Sequence, residues 1–83
     1  MSDNAEKEFV RTDVRLELLG VPCPVNWARA KARLEVMQPG ESLELVTDDP
    51  RAPRDIPAAA EAEGYFVLAV RPADGECHIW IER

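Results

Sequence analysis

VRLELLGVPCPVNWARAKARLEVMQPGESLELVT, Val14 to Thr47, is the stretch whose reading decides the fold. At its start Val14, Leu16 and Leu18 alternate with Arg15 and Glu17, the period-two pattern of a half-buried strand. Gly20 and the prolines at 22 and 24 break that strand. From Pro24 to Met37 the composition turns to Ala, Leu, Arg, Lys and Glu, all good helix formers. The helix is predicted to stop at Gln38–Glu41, with Gly40 just past its end. Ser42–Thr47 then reads as a second strand. Two strands joined through a helix predict a parallel pair with a right-handed crossover.

Working outward, 48–54 holds two prolines and reads as a loop. Asp55 is the expected N-cap of a second helix, with Pro57 in its first turn and Gly64 as its stop. A third strand is expected from Tyr65 to Pro72, a hairpin turn at Ala73–Glu76, and a fourth strand from Cys77 to Glu82. The fold class is therefore α/β. It is a two-layer α/β sandwich of order β-α-β-α-β-β, with a mixed four-stranded sheet and both helices on one face. Residues 1–11 are polar and are expected to fray, leaving one domain from 12 to 83.

At 3.6 residues per turn, Trp27, Ala30, Leu34 and Met37 fall on one stripe of the first helix, the expected core face. Val25, Ala28, Ala32 and Val36 fall on nearly the opposite side. Helix propensity alone accounts for the alanines there. The other reading is a docking surface running back toward Cys23.

The chain has 83 residues, with ten Lys and Arg against sixteen Asp and Glu. A net charge of −6 argues against direct binding of a nucleic-acid backbone. No apolar run has the length of a membrane span, and the first residues lack a hydrophobic signal core, so a cytoplasmic location is expected. Two cysteines are too few for a disulfide framework, and a single histidine makes a His/Cys metal cluster hard to assemble. No metal site is expected, and any chemistry rests on one cysteine.

That cysteine is Cys23, set between two prolines where loop becomes helix. Placed at the N-cap with Pro24 at N1, its thiolate would face the positive end of the helix dipole and the unpaired amides of the first turn. Both effects lower a thiol pKa. Such a thiolate can attack a persulfide, hold the outer sulfur and pass it on. The plain alternative is a cysteine that only packs.

Gly20, Cys23 and Pro24 in the Gly-x-x-Cys-Pro entry, the helix ending MQPGE, and DDP followed by RDIP resemble the TusA (SirA-like) family of sulfur-carrier proteins. The resemblance runs from about Val14 to the C-terminus. It implies a small cytoplasmic sulfurtransferase. Such a protein accepts persulfide sulfur from a donor protein, a cysteine desulfurase or a rhodanese-like protein, and passes it to an acceptor protein. It implies no metal or organic cofactor, and it gives Cys23 the persulfide-bearing role. Two positions depart from the family pattern. Glu17 stands where the family usually has Asp, and Asn26 stands where the motif has its second proline. With Cys23 at the N-cap, Asn26 would restore an amide donor at N3 and bring a carboxamide within reach of the sulfur. A rival function on the same fold is a non-catalytic interaction or regulatory module.

Arg29, Lys31 and Arg33 on the first helix, and Arg54 before the second, are candidates for steering an acidic partner. A solvated helix surface is the alternative. Cys77 alternates with Ile79 and Ile81 and is expected in the core, with His78 and Trp80 on the other side of that strand. Asp48 and Asp49 before Pro50 read as turn formers rather than as a metal or acid/base pair.

Overall fold

The computed structural model describes residues 12–83, so the expected frayed tail at 1–11 lies outside the described residues. The element order is β1 (Val14–Leu18), α1 (Val25–Val36), β2 (Ser42–Thr47), α2 (Ala52–Ala62), β3 (Phe66–Ala73) and β4 (Glu76–Glu82). The four strands form one mixed sheet in the order β1-β2-β4-β3. β1 and β2 are parallel, as a crossover through α1 requires, and β4 runs antiparallel to both of its neighbours.

The hairpin between β3 and β4 follows from Asp74-Gly75. Both residues have positive φ, 47° and 80°, which a two-residue turn matched to strand twist demands. At β3 the ladder slips between Val67 and Ala69, so Leu68 sits at a bulge on an edge strand.

Period-two patterning puts Leu43 and Leu45 of β2 on the same face as Ile79 and Ile81 of β4. These residues form one buried cluster with Ala30 and Leu34 of α1, and with Ala52, Ile56 and Ala60 of α2. Both helices therefore cover one face of the sheet. Trp27 is half-buried against this cluster, Met37 lies within it, and Val25 and Val36 are exposed, so the two stripes of α1 separate as the periodicity predicts.

Among the helix and strand boundaries, the largest difference from the sequence reading is at the start of α2, while the strand ends of the β3–β4 hairpin shift by one residue each. Asp55 does not cap α2; the helix begins at Ala52 and Arg51 is its N-cap residue. Pro53 fills the first-turn position expected of Pro57, which instead lies inside the helix. The Pro57 ring has no N–H to donate, so the Pro53 carbonyl four residues earlier lacks its helical i+4 partner.

The opposite face of the sheet is not bare. Glu44 and Val46 of β2 are buried there, and Glu44 Oε2 lies 2.8 Å from His78 Nδ1. Trp80 stacks on His78, lies beneath the Arg71 guanidinium, and donates its indole N–H to Thr12 Oγ1.

Ile79 is fully buried at the centre of the core and Val36 is 73% exposed. Ile79→Ala is expected to cost about 2–5 kcal/mol in urea unfolding, whereas Val36→Ala stays within about 0.5 kcal/mol of the parent.

Candidate functional site

The site is built where β1 and β2 end side by side. Leu18 and Thr47 are register partners, so the loops that follow them, 19–24 and 48–51, leave the sheet together. Gly20 turns the first loop with φ +78°. Two consecutive carboxylates on the second loop then hold the first. Gly20 N–H donates to Asp48 Oδ1 at 3.0 Å, and Cys23 N–H donates to Asp49 Oδ2 at 2.7 Å. Asp49 uses its other oxygen, Oδ1, to accept the Arg51 N–H at 2.9 Å, and its own N–H donates to Thr47 Oγ1 at 3.2 Å. One buried carboxylate thus fixes the entry to α2 and the backbone of Cys23 together. Amides of Arg51 and Cys23 hold the Asp49 carboxyl below its ordinary value of 3.8, against a partial opposing effect of burial. Between the two loops lies an open cleft of about 370 Å³, lined by Gly20 to Pro22 on one side and Asp48 to Arg51 on the other.

Cys23 is partly exposed and free. It does not occupy the N-cap. That residue is Pro24, joined to Cys23 by a cis peptide bond, and α1 starts at Val25. Asn26 is accordingly at N2 rather than N3. Its N–H donates to the Pro22 carbonyl at 3.1 Å, and its Oδ1 accepts the Trp27 N–H at 2.6 Å. Its side chain is fully buried, and Nδ2 has no hydrogen-bond partner among the described residues. The expected amide donation from Asn26 to the sulfur is therefore replaced by bonds to backbone. Ala28 N–H is taken by the Pro24 carbonyl, which leaves the Val25 N–H as the first-turn amide without a partner among the described residues.

The four cations do not form one patch. Arg29 and Arg33 stand on the flank of α1 that faces β1, where they line a groove with Leu16. Lys31 bridges to Glu63 at the end of α2, 3.3 Å away. Arg54, on α2, pairs with Asp55 at 3.3 Å. Cys77 is buried in the core, and burial pushes its thiol upward, partly offset by a hydrogen bond with the Arg71 backbone. It is kept as a neutral thiol, unlike a nucleophile's requirement.

Sequence reasoning understated Asp48 and Asp49. The local half of their role, the turn contact to Arg51, is ordinary Asx chemistry. The other half reaches back 26 and 28 residues to the cysteine loop, and no local pattern encodes such contacts.

Fold and site together define a small two-layer α/β domain that holds a single accessible thiol on a loop clamped by carboxylates. The chain belongs to the sulfurtransferase TusA family, whose sequence model matches residues 14–83. It is 37% identical over 70 residues to a candidate sulfur carrier protein of Archaeoglobus fulgidus, covering 84% of this chain and 80% of that one. It is 36% identical over 59 residues to the candidate sulfur carrier protein YedF of Escherichia coli, covering 71% and 77%. The crystal structure of a SirA-like protein from Desulfitobacterium hafniense superposes with a TM-score of 0.71 at 24% identity, over 83% of this chain and 95% of the other, which establishes the shared fold. No helix among the described residues is long and apolar enough to cross a membrane.

Asp49 has a depressed folded-state pKa, so its contribution to stability is present above about pH 4 and is lost as the pH falls through the lower folded-state value. Asp49→Asn offers one carbonyl oxygen to two amides and turns an NH₂ group toward the other. It is expected to flatten the acid limb of the stability curve and to speed hydrogen exchange at the Cys23 amide by about tenfold. An unchanged acid limb and unchanged exchange would remove the carboxylate from the account.

Proposed function

We propose that this protein is a sulfur carrier that receives persulfide sulfur on Cys23 from a donor protein and delivers it to an acceptor protein. The observation that carries the reading is the partly exposed, unpaired Cys23 whose backbone is tied to Asp49 at 2.7 Å, in a chain of the TusA family.

The chemistry balances without a redox partner. The Cys23 thiolate attacks the outer sulfur of a donor persulfide, R–S–SH. A new S–S bond forms at Cys23, the donor's S–S bond breaks, and the donor leaves as its thiolate. Delivery is the same exchange with Cys23 as leaving group: an acceptor nucleophile takes the outer sulfur and the Cys23 thiolate returns. The step needs neither metal nor organic cofactor. Gly20 and Pro24 shape the loop, and buried Asn26 anchors the first turn to the Pro22 carbonyl. The free Val25 amide is the backbone donor best placed in sequence to stabilise charge on the sulfur.

The donor in this reading is a cysteine desulfurase or a rhodanese-like protein, residues 12–83 act as one carrier domain, and the exchange takes place in the cytoplasm. Of the four cations, Arg29 and Arg33 are the ones available to steer an acidic partner, because Lys31 is paired with Glu63 and Arg54 with Asp55. After incubation with a cysteine desulfurase and cysteine, intact-mass spectrometry is expected to show a gain of one sulfur, about 32 Da, on the wild type. Cys23→Ser is expected to show none. A gain that persists in Cys23→Ser would reassign the sulfur to another residue, and no gain with either a desulfurase or a rhodanese donor would refute the carrier role.

A further inference from the structure

The outward stripe of α1 and the strand β1 enclose a shallow groove of about 390 Å³. Leu16, Ala32 and Val36 form its apolar walls, and Arg29 and Arg33 stand along it. Val36 is the most exposed large hydrophobic side chain among the described residues, at 73%. Val25, at the start of the same helix face, is 45% exposed. β1 borders the groove as an edge strand, pairing only with β2 among the described residues.

The charges here are distributed against expectation. The chain is acidic overall, at −6. Most of its described cations have partners: Arg15 with Glu17, Lys31 with Glu63, Arg51 with Asp49, and Arg54 with Asp55. Arg83 donates to the Leu34 carbonyl, and Arg71 lies over Trp80. Arg29 and Arg33 alone have no ion pair, hydrogen bond or ring contact among the described residues. They are spaced i,i+4, where like charges repel. A pair of unneutralised arginines beside an exposed apolar groove is complementary to a surface of the same size that carries carboxylates around an apolar side chain.

We propose that this groove docks a protein partner through a short acidic segment. A bulky apolar side chain of that segment packs on Leu16 and Val36, and flanking carboxylates pair with Arg29 and Arg33. The inference rests on the sulfur-carrier reading only for its purpose. Arg29 is roughly 8 Å along the helix axis from Pro24, so a donor or acceptor held there has its own reactive sulfur within reach of Cys23. Two arginines are too few to hold a nucleic-acid backbone against the net negative charge, and too few for an anionic lipid surface.

The test uses the full chain, uniformly ¹⁵N-labelled, with a capped synthetic peptide of sequence Glu-Asp-Leu-Glu-Leu-Asp-Glu as probe. Amide shifts are expected at Leu16, Arg29, Ala32, Arg33 and Val36, with affinity falling as salt rises. The peptide with every acidic residue replaced by its amide, and the peptide with Ser for Leu, should each bind about tenfold more weakly or worse. Arg29→Glu combined with Arg33→Glu should abolish the shifts and leave the rest of the spectrum unchanged, whereas the double lysine variant retains them. The proposal is overturned if the groove amides do not move, if the uncharged peptide binds equally, or if oligouridylate or phosphatidylglycerol vesicles perturb these residues more than the acidic peptide does.

A second arm separates docking from chemistry. Inorganic polysulfide can load Cys23 directly: the thiolate takes a terminal sulfur and the chain leaves one sulfur shorter. The charge-reversed variant should load from polysulfide at the wild-type rate but show a KM raised about tenfold or more for a persulfidated cysteine desulfurase. Equal KM values would overturn the link between groove and donor. If Cys23 takes no sulfur from either source, the carrier reading fails, while the peptide experiment still decides the groove.

Discussion

The 2.7 Å bond from the Cys23 amide to the Asp49 carboxylate is the contact on which the site depends. A loop with two prolines and a glycine has few amides with which to anchor itself. Pro22 and Pro24 contribute none, so beyond Leu19 the loop's position rests on the amides of Gly20, Val21 and Cys23. Val21 bonds locally to the Leu18 carbonyl. The other two reach across to Asp48 and Asp49. Because the receiving groups are charged, these bonds are stronger than neutral ones. Because Asp49 is itself fixed by Thr47 and Arg51, the clamp is tied to the end of β2 and the start of α2.

The fold supplies what the clamp needs. A parallel β1–β2 pair delivers both loops to the same end of the sheet, which no hairpin connection would do. The single core beneath, shared by both helices and the inner face of β2 and β4, fixes the spacing of the loops. Antiparallel β4 and β3 complete the sheet and bury Cys77 away from solvent. The two cysteines therefore have opposite environments. One is partly exposed on a held loop, and the other is packed and pushed toward the neutral thiol.

Much of this was legible in the sequence, for local reasons. Alternation at Val14–Leu18 and the Ala30/Leu34/Met37 stripe encode a strand and a helix face by periodicity, and the Asp74-Gly75 turn encodes the hairpin by turn chemistry. The element order and the parallel crossover then follow. Errors fell where two local signals competed. Pro53 and Pro57 both suit a first helical turn, and choosing the second placed the start of α2 late. The preference of proline for N1 makes Cys23 the expected N-cap, yet Pro24 itself is the N-cap residue, the helix begins at Val25, and the Asn26 amide bonds to Pro22. The clamp itself was illegible. An Asp-Asp-Pro sequence announces a turn, but nothing in it names the amides of residues 20 and 23 as its partners. Glu44 with His78 was hidden in the same way, because a glutamate in a strand reads as a solvent position until the facing strand is known.

In the proposed carrier, the carboxylate at 49 holds Cys23 where another protein can reach it. The measurement that tests this most directly is the rate of sulfur transfer from a persulfidated donor protein to Cys23 in Asp49→Asn, set against loading of the same variant by inorganic polysulfide. If the clamp positions the thiol for a partner, protein-to-protein transfer falls on the order of tenfold or more while polysulfide loading is unchanged. If both rates match the wild type, the Asp49–Cys23 bond is only a fastening of the fold and the central claim is wrong.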